Sequence, residues 1–327
     1  MRVISWGTRG STPVFSRNQV KYGGNSTCVQ VLSQCLPLGM GLFLDAGSGI
    51  VPASMEFLKS GGKHVVIDHS HYHHDHTQGL PLSAFPYVPT LQVDIFGPED
   101  NGKGPKWVYQ QIMQPPMFPV PLKKVIGNHM RFRGMELPEC NVQLFHPEGG
   151  VKLLDLPAFE KFEATEAQVP FQDGDKYPLS ECLVVRMHRT DHPEQAISFR
   201  LEERPTGIVF VFVTDHECQV GFPDTFKKHL LGADLLIEDC QYSPERYTKT
   251  AGFGHATPDY VAMVAREAGV KAVGLTHHDP PASDEFVDNM VASVQKNLRD
   301  KECNIPVFGC RDYMAVEVGD TTTYPQD

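Results

Sequence analysis

The sequence lacks the features that would place it in a membrane or a secretory pathway. Its 327 residues contain no apolar run that approaches the length of a membrane span. Residues 1–6 form a short β-like run, without the apolar core that a signal peptide needs. We therefore expect a cytoplasmic protein without membrane contact.

Paired cysteines are also absent. The sequence never places two cysteines in a CxxC pair, so neither a redox motif nor a zinc ribbon is indicated. Free thiols in a reducing compartment are the simplest interpretation. The eight cysteines are Cys28, Cys35, Cys140, Cys182, Cys218, Cys240, Cys303 and Cys310.

Positive charge is scarce. The chain has 29 Lys and Arg against 40 Asp and Glu, which gives a formal net charge of −11. This charge disfavours binding to an extended nucleic acid or an anionic bilayer, because clustered Lys and Arg hold long phosphate backbones. A small anionic substrate can still bind where metal ions supply positive charge locally. The hydrophobic fraction of 41% is that of an ordinary globular protein, which excludes disorder as the main state.

Short apolar runs bounded by Gly, Pro or Asn predict many strands and fewer helices. The predicted strands are 2–6, 28–32, 41–44, 65–68, 93–96, 142–145, 183–186, 196–201, 208–214, 235–238, 272–275 and 314–318. The predicted helices are 51–60, 106–113, 224–229, 260–268 and 286–298. Residues 97–177 are rich in Pro, Gly and Met and have few clear elements. We interpret them as an insertion or lid within a single domain that spans residues 1–327.

The aromatic and methionine residues of this middle stretch have two interpretations. They either cover a site and stack on a base, or form ordinary core or dimer contacts, and the second interpretation is preferred. These residues are Trp107, Tyr109, Met113, Met117 and Phe118.

The strongest chemical signal is the segment HYHHDH at residues 71–76, which follows a predicted strand. It delivers four imidazoles and a carboxylate into one short loop, and zinc and similar divalent ions accept these ligands. The alternative is a His-rich surface tract without a fixed metal. The position of the segment between a strand and a predicted helix favours a metal site.

This HxHxDH pattern resembles the signature of the metallo-β-lactamase superfamily, and segments similar to the later motifs follow in order. Asp45 in LDAGSG resembles the first-motif Asp, which supports the metal loop without binding metal. His192 in DHP, Asp215 in VTD and His277 in LTH resemble the later ligands. His278 is the most plausible substitute for His277, which is preferred because it directly follows its strand.

The resemblance implies two divalent metal ions, with zinc expected first and manganese or iron as alternatives. One ion would be held by His71, His73 and His192, the other by Asp75, His76 and His277, with Asp215 between them. Two such ions that share a water lower its pKa and so supply a hydroxide nucleophile at neutral pH. No protein nucleophile is then needed, and no GxSxG motif is present.

The segment GFGHAT at 252–257 resembles the Gly-His-Ser-Thr segment of the phosphodiesterase branch, with Ala256 in place of Ser. That branch includes ribonuclease Z, phosphoribosyl cyclic phosphodiesterases and cyclic-nucleotide phosphodiesterases. Its His protonates the leaving oxygen, so His255 is the general-acid candidate. His255 and Asp75 are therefore the predicted catalytic residues. The alternative for His255 is a packing or capping role at a helix entry.

Further segments extend this resemblance over nearly the whole chain. They are WGTRGSTP at 6–13, YGGNSTC at 22–28, PVPL at 119–122 and LTHHDP at 275–280. Gly7 and Gly10 suggest either a phosphate-cradling loop or ordinary turns between strands, and turns are preferred.

The predicted fold is an α/β, four-layer αββα sandwich with the metals at one edge between two sheets. The predicted function is hydrolysis of a small or cyclic phosphodiester, such as a cyclic nucleotide, by a homodimer. Ribonuclease Z activity on tRNA 3′ ends is an alternative, disfavoured by the net charge and by the absence of a long basic arm. A glyoxalase II-type thioesterase and a metal-binding scaffold without activity are further alternatives.

Overall fold

Two β-sheets pack face to face, with helices on their outer surfaces. The computed structural model describes residues 1–172, 174–217 and 219–325. Within these residues the first sheet has seven strands, in the spatial order β17-β1-β2-β3-β4-β5-β6. They are β1 (Arg2–Gly7), β2 (Cys28–Leu32), β3 (Met40–Leu44), β4 (His64–Asp68), β5 (Gln92–Pro98), β6 (Met130–Met135) and β17 (Met314–Glu317).

The second sheet has eight strands in the described residues, in the order β16-β15-β14-β13-β12-β11-β7-β8. They are β7 (Asn141–His146), β8 (Gly150–Asp155), β11 (Leu183–Arg189), β12 (Ile197–Glu203), β13 (Ile208–Val213), β14 (Leu235–Asp239), β15 (Val273–Thr276) and β16 (Val307–Gly309). A separate hairpin pairs β9 (Val169–Pro170) with β10 (Lys176–Tyr177).

Helices flank the two sheets. They are α1 (Ile50–Lys59), α2 (His74–Thr77), α3 (Pro105–Ile112), α4 (Leu122–Val125), α5 (Leu156–Thr165), α6 (Asp224–Leu230), α7 (Pro244–Thr250), α8 (Pro258–Glu267) and α9 (Asp284–Arg299). One of them, α2, carries part of the HYHHDH segment. Phe210 and Phe212 of β13 pack between the sheets, whereas Val211 and Val213 pack under α8 and α9. Since both faces of β13 are covered, its sequence is a continuous apolar run rather than an alternating one.

The prediction of few regular elements in residues 97–177 is wrong. This stretch supplies β6 at the edge of the first sheet and β7 and β8 at the edge of the second. Phe159 of α5 packs against β7. Edge strands expose polar side chains, as in the alternating MRFRGM of β6, so their apolar pattern is weak. The stretch is therefore part of both sheets, and its role as a lid stays a prediction.

Parallel pairing sets the position of the functional loops. Strands β3 to β6 are parallel in the first sheet, and strands β13 to β16 are parallel in the second. The carboxyl ends of parallel strands lie at the same edge of a sheet, and ligands in α/β folds bind there. Every predicted metal ligand lies in a segment that follows a strand, and two of them, Asp75 and His76, belong to the short helix α2.

Two expectations from the sequence concern the absence of a membrane-spanning segment and the presence of free cysteine thiols. No helix among the described residues is long and apolar enough to cross a membrane. Cys218 lies outside the described residues, and the other seven cysteines are free.

Candidate metal centre and active-site cleft

The loop of residues 71–76 follows β4 and is held in place by Asp45, which follows β3. Oδ1 of Asp45 accepts a hydrogen bond from the Ser70 amide at 2.8 Å, and Oδ2 accepts one from the Ser70 hydroxyl at 2.7 Å. Oδ2 also lies 2.9 Å from Nδ1 of His76, which donates to it. Burial opposes ionisation, but the nearby His76 and His69 imidazoles hold the pKa of Asp45 well below its usual range. Asp45 thus occupies the supporting position that the sequence indicates.

Asp215, at the end of β13, is the centre of a cluster that contains all seven predicted ligands. Its Oδ2 lies 3.4 Å from Nε2 of His71 and 3.7 Å from Nε2 of His192. Its Oδ1 lies 3.1 Å from Nε2 of both His76 and His277. The two oxygens of one carboxylate therefore face two different sets of imidazoles.

The remaining ligand candidates complete the two sets. Oδ2 of Asp75 lies 3.2 Å from Nε2 of His76 and 3.0 Å from Nε2 of His277. His73 packs its ring 4.5 Å from that of His71. Among the described residues, potential ligand atoms lie within 4.8 Å of one another in three groups, which are His71, His73, His192 and Asp215; Asp75, His76 and His277; and Asp215, His255 and His277.

The chemistry of the cluster fits divalent metal ions. Nε2 of His71, His76 and His192 is buried and makes no well-aligned hydrogen bond, although carboxylate oxygens lie 3.1 to 3.7 Å away, and this is costly unless another group binds there. Burial lowers the pKa of His277, but Asp215 and Asp75 raise it to about 9, and carboxylates likewise raise the pKa of His76. The buried carboxylates therefore require cations, which protons or metal ions can supply in competition. Metal binding by these residues stays a prediction.

Backbone conformation at the strand ends is unusual. Asp45, Asp215 and His277 have φ values of 61°, 44° and 58°. Residues other than glycine rarely adopt this left-handed conformation, and its cost is retained where the surroundings fix it, often at functional sites. A Cβ at Gly10 would lie 2.4 Å from Nδ1 of His277, so this glycine permits close approach of the loop that follows β1.

Three neighbouring histidines outside the predicted ligand set, His278, His188 and His216, have other partners. Nε2 of His278 lies 2.8 Å from the Cys310 carbonyl, and burial lowers the pKa of His278 to about 3. Nδ1 of His188 faces the carbonyl of Arg189 at 2.6 Å. His216 is buried against the Tyr260 hydroxyl, 2.8 Å from its Nε2.

His255 lies at the same cluster and has a partner that the sequence analysis did not identify. Its Nδ1 is 2.8 Å from Oδ2 of Asp239, the last residue of β14. Because a carboxylate only accepts hydrogen bonds, Nδ1 carries a proton, and Nε2 is the nitrogen that remains available to a substrate. Asp239 stands at a strand end like Asp215, and this position was the signal that could have identified it.

Two further residues that sequence reasoning missed orient the ligands. The Ser11 amide donates a hydrogen bond of 2.7 Å to Oδ2 of Asp75. The Gln241 side-chain oxygen lies 2.7 Å from Nδ1 of His277 and accepts a hydrogen bond from it. Such partners fix the ring orientation and tautomer of a metal-binding histidine.

The cluster opens into a cleft of about 600 Å³. Its wall includes His73, Asp75, Asp215, His255 and His277. Side chains of Tyr72, Tyr242 and Phe253 add apolar surface, and Phe253 is 60% exposed. The candidate ligands and the candidate general acid thus share one solvent-accessible space.

Comparison with known proteins supports the assignment of the fold. No protein-family model matches the chain. The chain is 25% identical to the ribonuclease Z of Haloarcula marismortui over 88% of its own length and 90% of the relative's. It is 26% identical to the ribonuclease Z of Synechococcus sp. over 89% of its own length and 92% of the relative's.

Solved structures share the architecture. YhfI from Bacillus subtilis, a metallo-β-lactamase fold protein, matches with a TM-score of 0.59 and 16% identity, over 97% of this chain and 99% of that one. The short form of human tRNase Z matches with a TM-score of 0.57 and 19% identity over the same shares. The chain has the metallo-β-lactamase fold, as the motifs of the sequence predict. Fold, cluster and relatives together show a metal-dependent hydrolase.

Proposed function

We propose that the chain is a phosphodiesterase that hydrolyses a small or cyclic phosphodiester, such as a cyclic nucleotide. The observation that carries this proposal is the Asp215 carboxylate between two sets of imidazoles, with His255 in the same cleft. Two divalent ions held there would activate a water and polarise a phosphoryl oxygen. Zinc is the preferred metal because imidazole and carboxylate ligands suit it.

His255 provides the proton that a phosphodiester needs at its leaving oxygen. Asp239 accepts a hydrogen bond from Nδ1 of His255, which orients the ring so that the second proton of an imidazolium lies on Nε2. Nε2 then donates a proton as the bond from phosphorus to the leaving oxygen breaks. A thioester has a thiolate leaving group that needs no such acid, so this pair favours phosphodiester chemistry.

Cleft size and charge favour a small substrate. A volume of about 600 Å³ lies in the range of small-molecule sites, roughly 300–1,000 Å³. No Lys or Arg is found among the described residues that line this cleft. A long RNA needs clustered cations along its backbone, and the chain has a net charge of −11.

Ribonuclease Z activity is the second candidate. It is favoured by the similarity to two curated ribonuclease Z proteins over about nine-tenths of the chain. Both candidates share the same reaction at phosphorus and differ in the length of the nucleic acid bound. They therefore differ in their dependence on salt, which is steep for a substrate with many phosphates.

The test is a parallel assay of the full chain loaded with zinc, manganese or iron. The substrates are bis(p-nitrophenyl) phosphate, cyclic nucleotides, a tRNA precursor with a 3′ trailer and a thioester. We expect chelator-sensitive hydrolysis of the small diesters, with about two metals per chain, as a dinuclear site requires. Cleavage of the tRNA precursor alone would establish the second candidate, and cleavage of the thioester alone would refute both.

The same preparation allows a test of the metal ligands and of the oligomer. Asp215→Asn removes the carboxylate between the two sets, so metal content and activity should fall together. We also propose a homodimer, which sedimentation or light scattering of the purified chain would reveal as twice the mass of one chain.

A further inference from the structure

A second cavity adjoins the metal centre. It has a volume of about 320 Å³, and His71 and His73 form part of its wall. Tyr72 and His73 also line the larger cleft, so these two residues separate the spaces. His255 lines the larger cleft but does not belong to the wall of the second cavity. The second cavity therefore lies on the side of the centre away from the general acid.

The wall of this cavity also includes an exposed indole, that of Trp107. Trp107 of α3 is 42% exposed, whereas Tyr109 and Met113 nearby are buried in the core. The methionine and aromatic residues of this stretch thus do not share one role. Nζ of Lys103 lies 5.6 Å from the Trp107 ring centroid, which gives the indole a cationic neighbour.

Local backbone structure fixes the cavity wall. The residues Asp100 to Lys103 form a tight turn in which the Lys103 amide donates to the Asp100 carbonyl at 2.8 Å. Asn101 and Gly102 at its centre have φ values of 50° and 75°, and Asn-Gly is the pair that such turns favour. α3 begins at Pro105, so the turn and the helix together position Trp107.

Tyr72 is held equally firmly on the other side. Its hydroxyl donates a 2.6 Å hydrogen bond to the carbonyl of Pro98. A Cβ at Gly97 would lie 2.4 Å from the Tyr72 hydroxyl oxygen, so only glycine leaves room for this hydroxyl. The aromatic wall is therefore formed before any ligand binds, which lowers the entropic cost of binding a flat ring.

We propose that this cavity binds a nucleobase of the diester, stacked on Trp107. The base belongs to the group that stays attached to phosphorus when the leaving oxygen departs. This inference rests on the proposed phosphodiesterase function and specifies its substrate as a nucleotide. Asp100, Lys103 and Gln195 line the cavity and offer acceptors and donors to the edge of the base.

The position of the cavity relative to His255 sets the direction of cleavage. Water adds to phosphorus, the bond to the leaving oxygen breaks on the His255 side, and that oxygen takes the proton of His255. The base stays attached to the phosphate through its sugar. An open-chain diester then gives a nucleoside monophosphate and an alcohol or a second nucleoside, whereas a cyclic nucleotide, whose leaving oxygen belongs to the same sugar, gives a nucleoside monophosphate alone.

The first test measures binding, independently of hydrolysis. The chain has two tryptophans, and Trp6 is 8% exposed, so quenching of the emission by a ligand reports mainly on Trp107. We expect AMP to quench this emission and to bind at least about tenfold more tightly than ribose 5-phosphate, since stacking on one base contributes about this factor. Equal affinities of the two compounds would overturn the proposal.

Variants assign the preference for AMP to the indole. Trp107→Ala should bring the two affinities together, while Trp107→Phe retains a ring and most of the preference. Both variants lack the reporter indole, so their affinities are measured by titration calorimetry alongside the unaltered chain. Tyr87→Ala is the matched control, because Tyr87 is 43% exposed and lines neither cavity. A preference for AMP that survives in Trp107→Ala would refute the stacking role.

The second test separates this inference from the proposed function. Thymidine 5′-(p-nitrophenyl phosphate) and methyl p-nitrophenyl phosphate share a leaving group and differ in the nucleoside. Trp107→Ala should lower the ratio of their kcat/KM values about tenfold, mainly through the KM of the nucleoside substrate. Equal kcat/KM values in the unaltered chain would overturn the inference. A preference for AMP without hydrolysis of either diester would refute the phosphodiesterase and leave the base site standing.

Discussion

Replacement of Asp45 by asparagine changes one acceptor into a donor at almost constant size. The buried Asp45 carboxylate accepts hydrogen bonds from the Ser70 amide, the Ser70 hydroxyl and Nδ1 of His76. An asparagine has one acceptor oxygen, which the Ser70 amide would occupy. Its NH₂ group would then face Nδ1 of His76. Two donors repel each other, so His76 would carry its proton on Nε2 instead.

That change of tautomer disables a predicted metal ligand. Nε2 of His76 lies 3.2 Å from Asp75 and 3.1 Å from Asp215, among the other ligand candidates. A nitrogen that carries a proton has no free electron pair for a metal ion. Loss of a partner that orients a ligand costs about 10–100-fold in metal affinity, or about 1.4–2.7 kcal/mol. We expect a loss of this size at the site of Asp75, His76 and His277.

Chelator competition and elemental analysis measure the two metal affinities directly. Asp68→Asn is the matched control. Asp68 is also buried, lies at the end of β4 next to Leu44 of β3, and accepts a hydrogen bond from Gln143 rather than from a ligand. Metal affinity in Asp68→Asn should equal that of the unaltered chain. The tautomer argument is refuted if Asp45→Asn binds both metals normally, or if the two variants lose affinity to the same extent.

Three further predictions concern pH, catalysis and packing. Burial raises the pKa of Asp68 to about 7, so the folded state holds this proton more tightly than the unfolded state, whose pKa is about 3.9. The contribution of Asp68 to the free energy of unfolding should therefore be lost between about pH 4 and 7, by as much as about 4 kcal/mol, and urea titrations should show this loss as a difference between the unaltered chain and Asp68→Asn. His255→Ala should retain its metals but lower kcat by about a hundredfold or more, and unchanged turnover would remove His255 from the mechanism. Gly10→Ala places a methyl group 2.4 Å from Nδ1 of His277 and should lower metal content, whereas Gly127→Ala, with its nearest contact at 3.0 Å, should not.

The strands were predictable where both faces are buried. The runs at 28–32, 208–214 and 235–238 correspond to β2, β13 and β14 within one residue at either end. β6 and β8 were missed because edge strands expose charged side chains such as Arg131 and Lys152, which interrupt the apolar pattern. α5 was missed for a related reason, since it buries mainly Phe159.

The candidate site was predictable because its ligands follow strands in a fixed order. HYHHDH is a dense local signal, and the single residues Asp215 and His277 gain meaning from their strand ends. Asp239 also follows this rule, but its role depends on His255, which lies 16 residues further along the chain. No local pattern indicates that these two side chains meet. The exposure of Trp107 likewise depends on how α3 packs.

The two sheets contribute to the metal cluster together. The loop of 71–76 extends from the first sheet, whereas His192, Asp215 and His277 extend from the second. Ions bound between them join the two halves of the sandwich as a cross-link would. A ligand that binds only the folded state raises the free energy of unfolding by about 2.7 kcal/mol at a hundredfold excess over its dissociation constant. If the predicted ions bind there, metal supply would govern how long the protein survives proteolysis, as well as whether it is active.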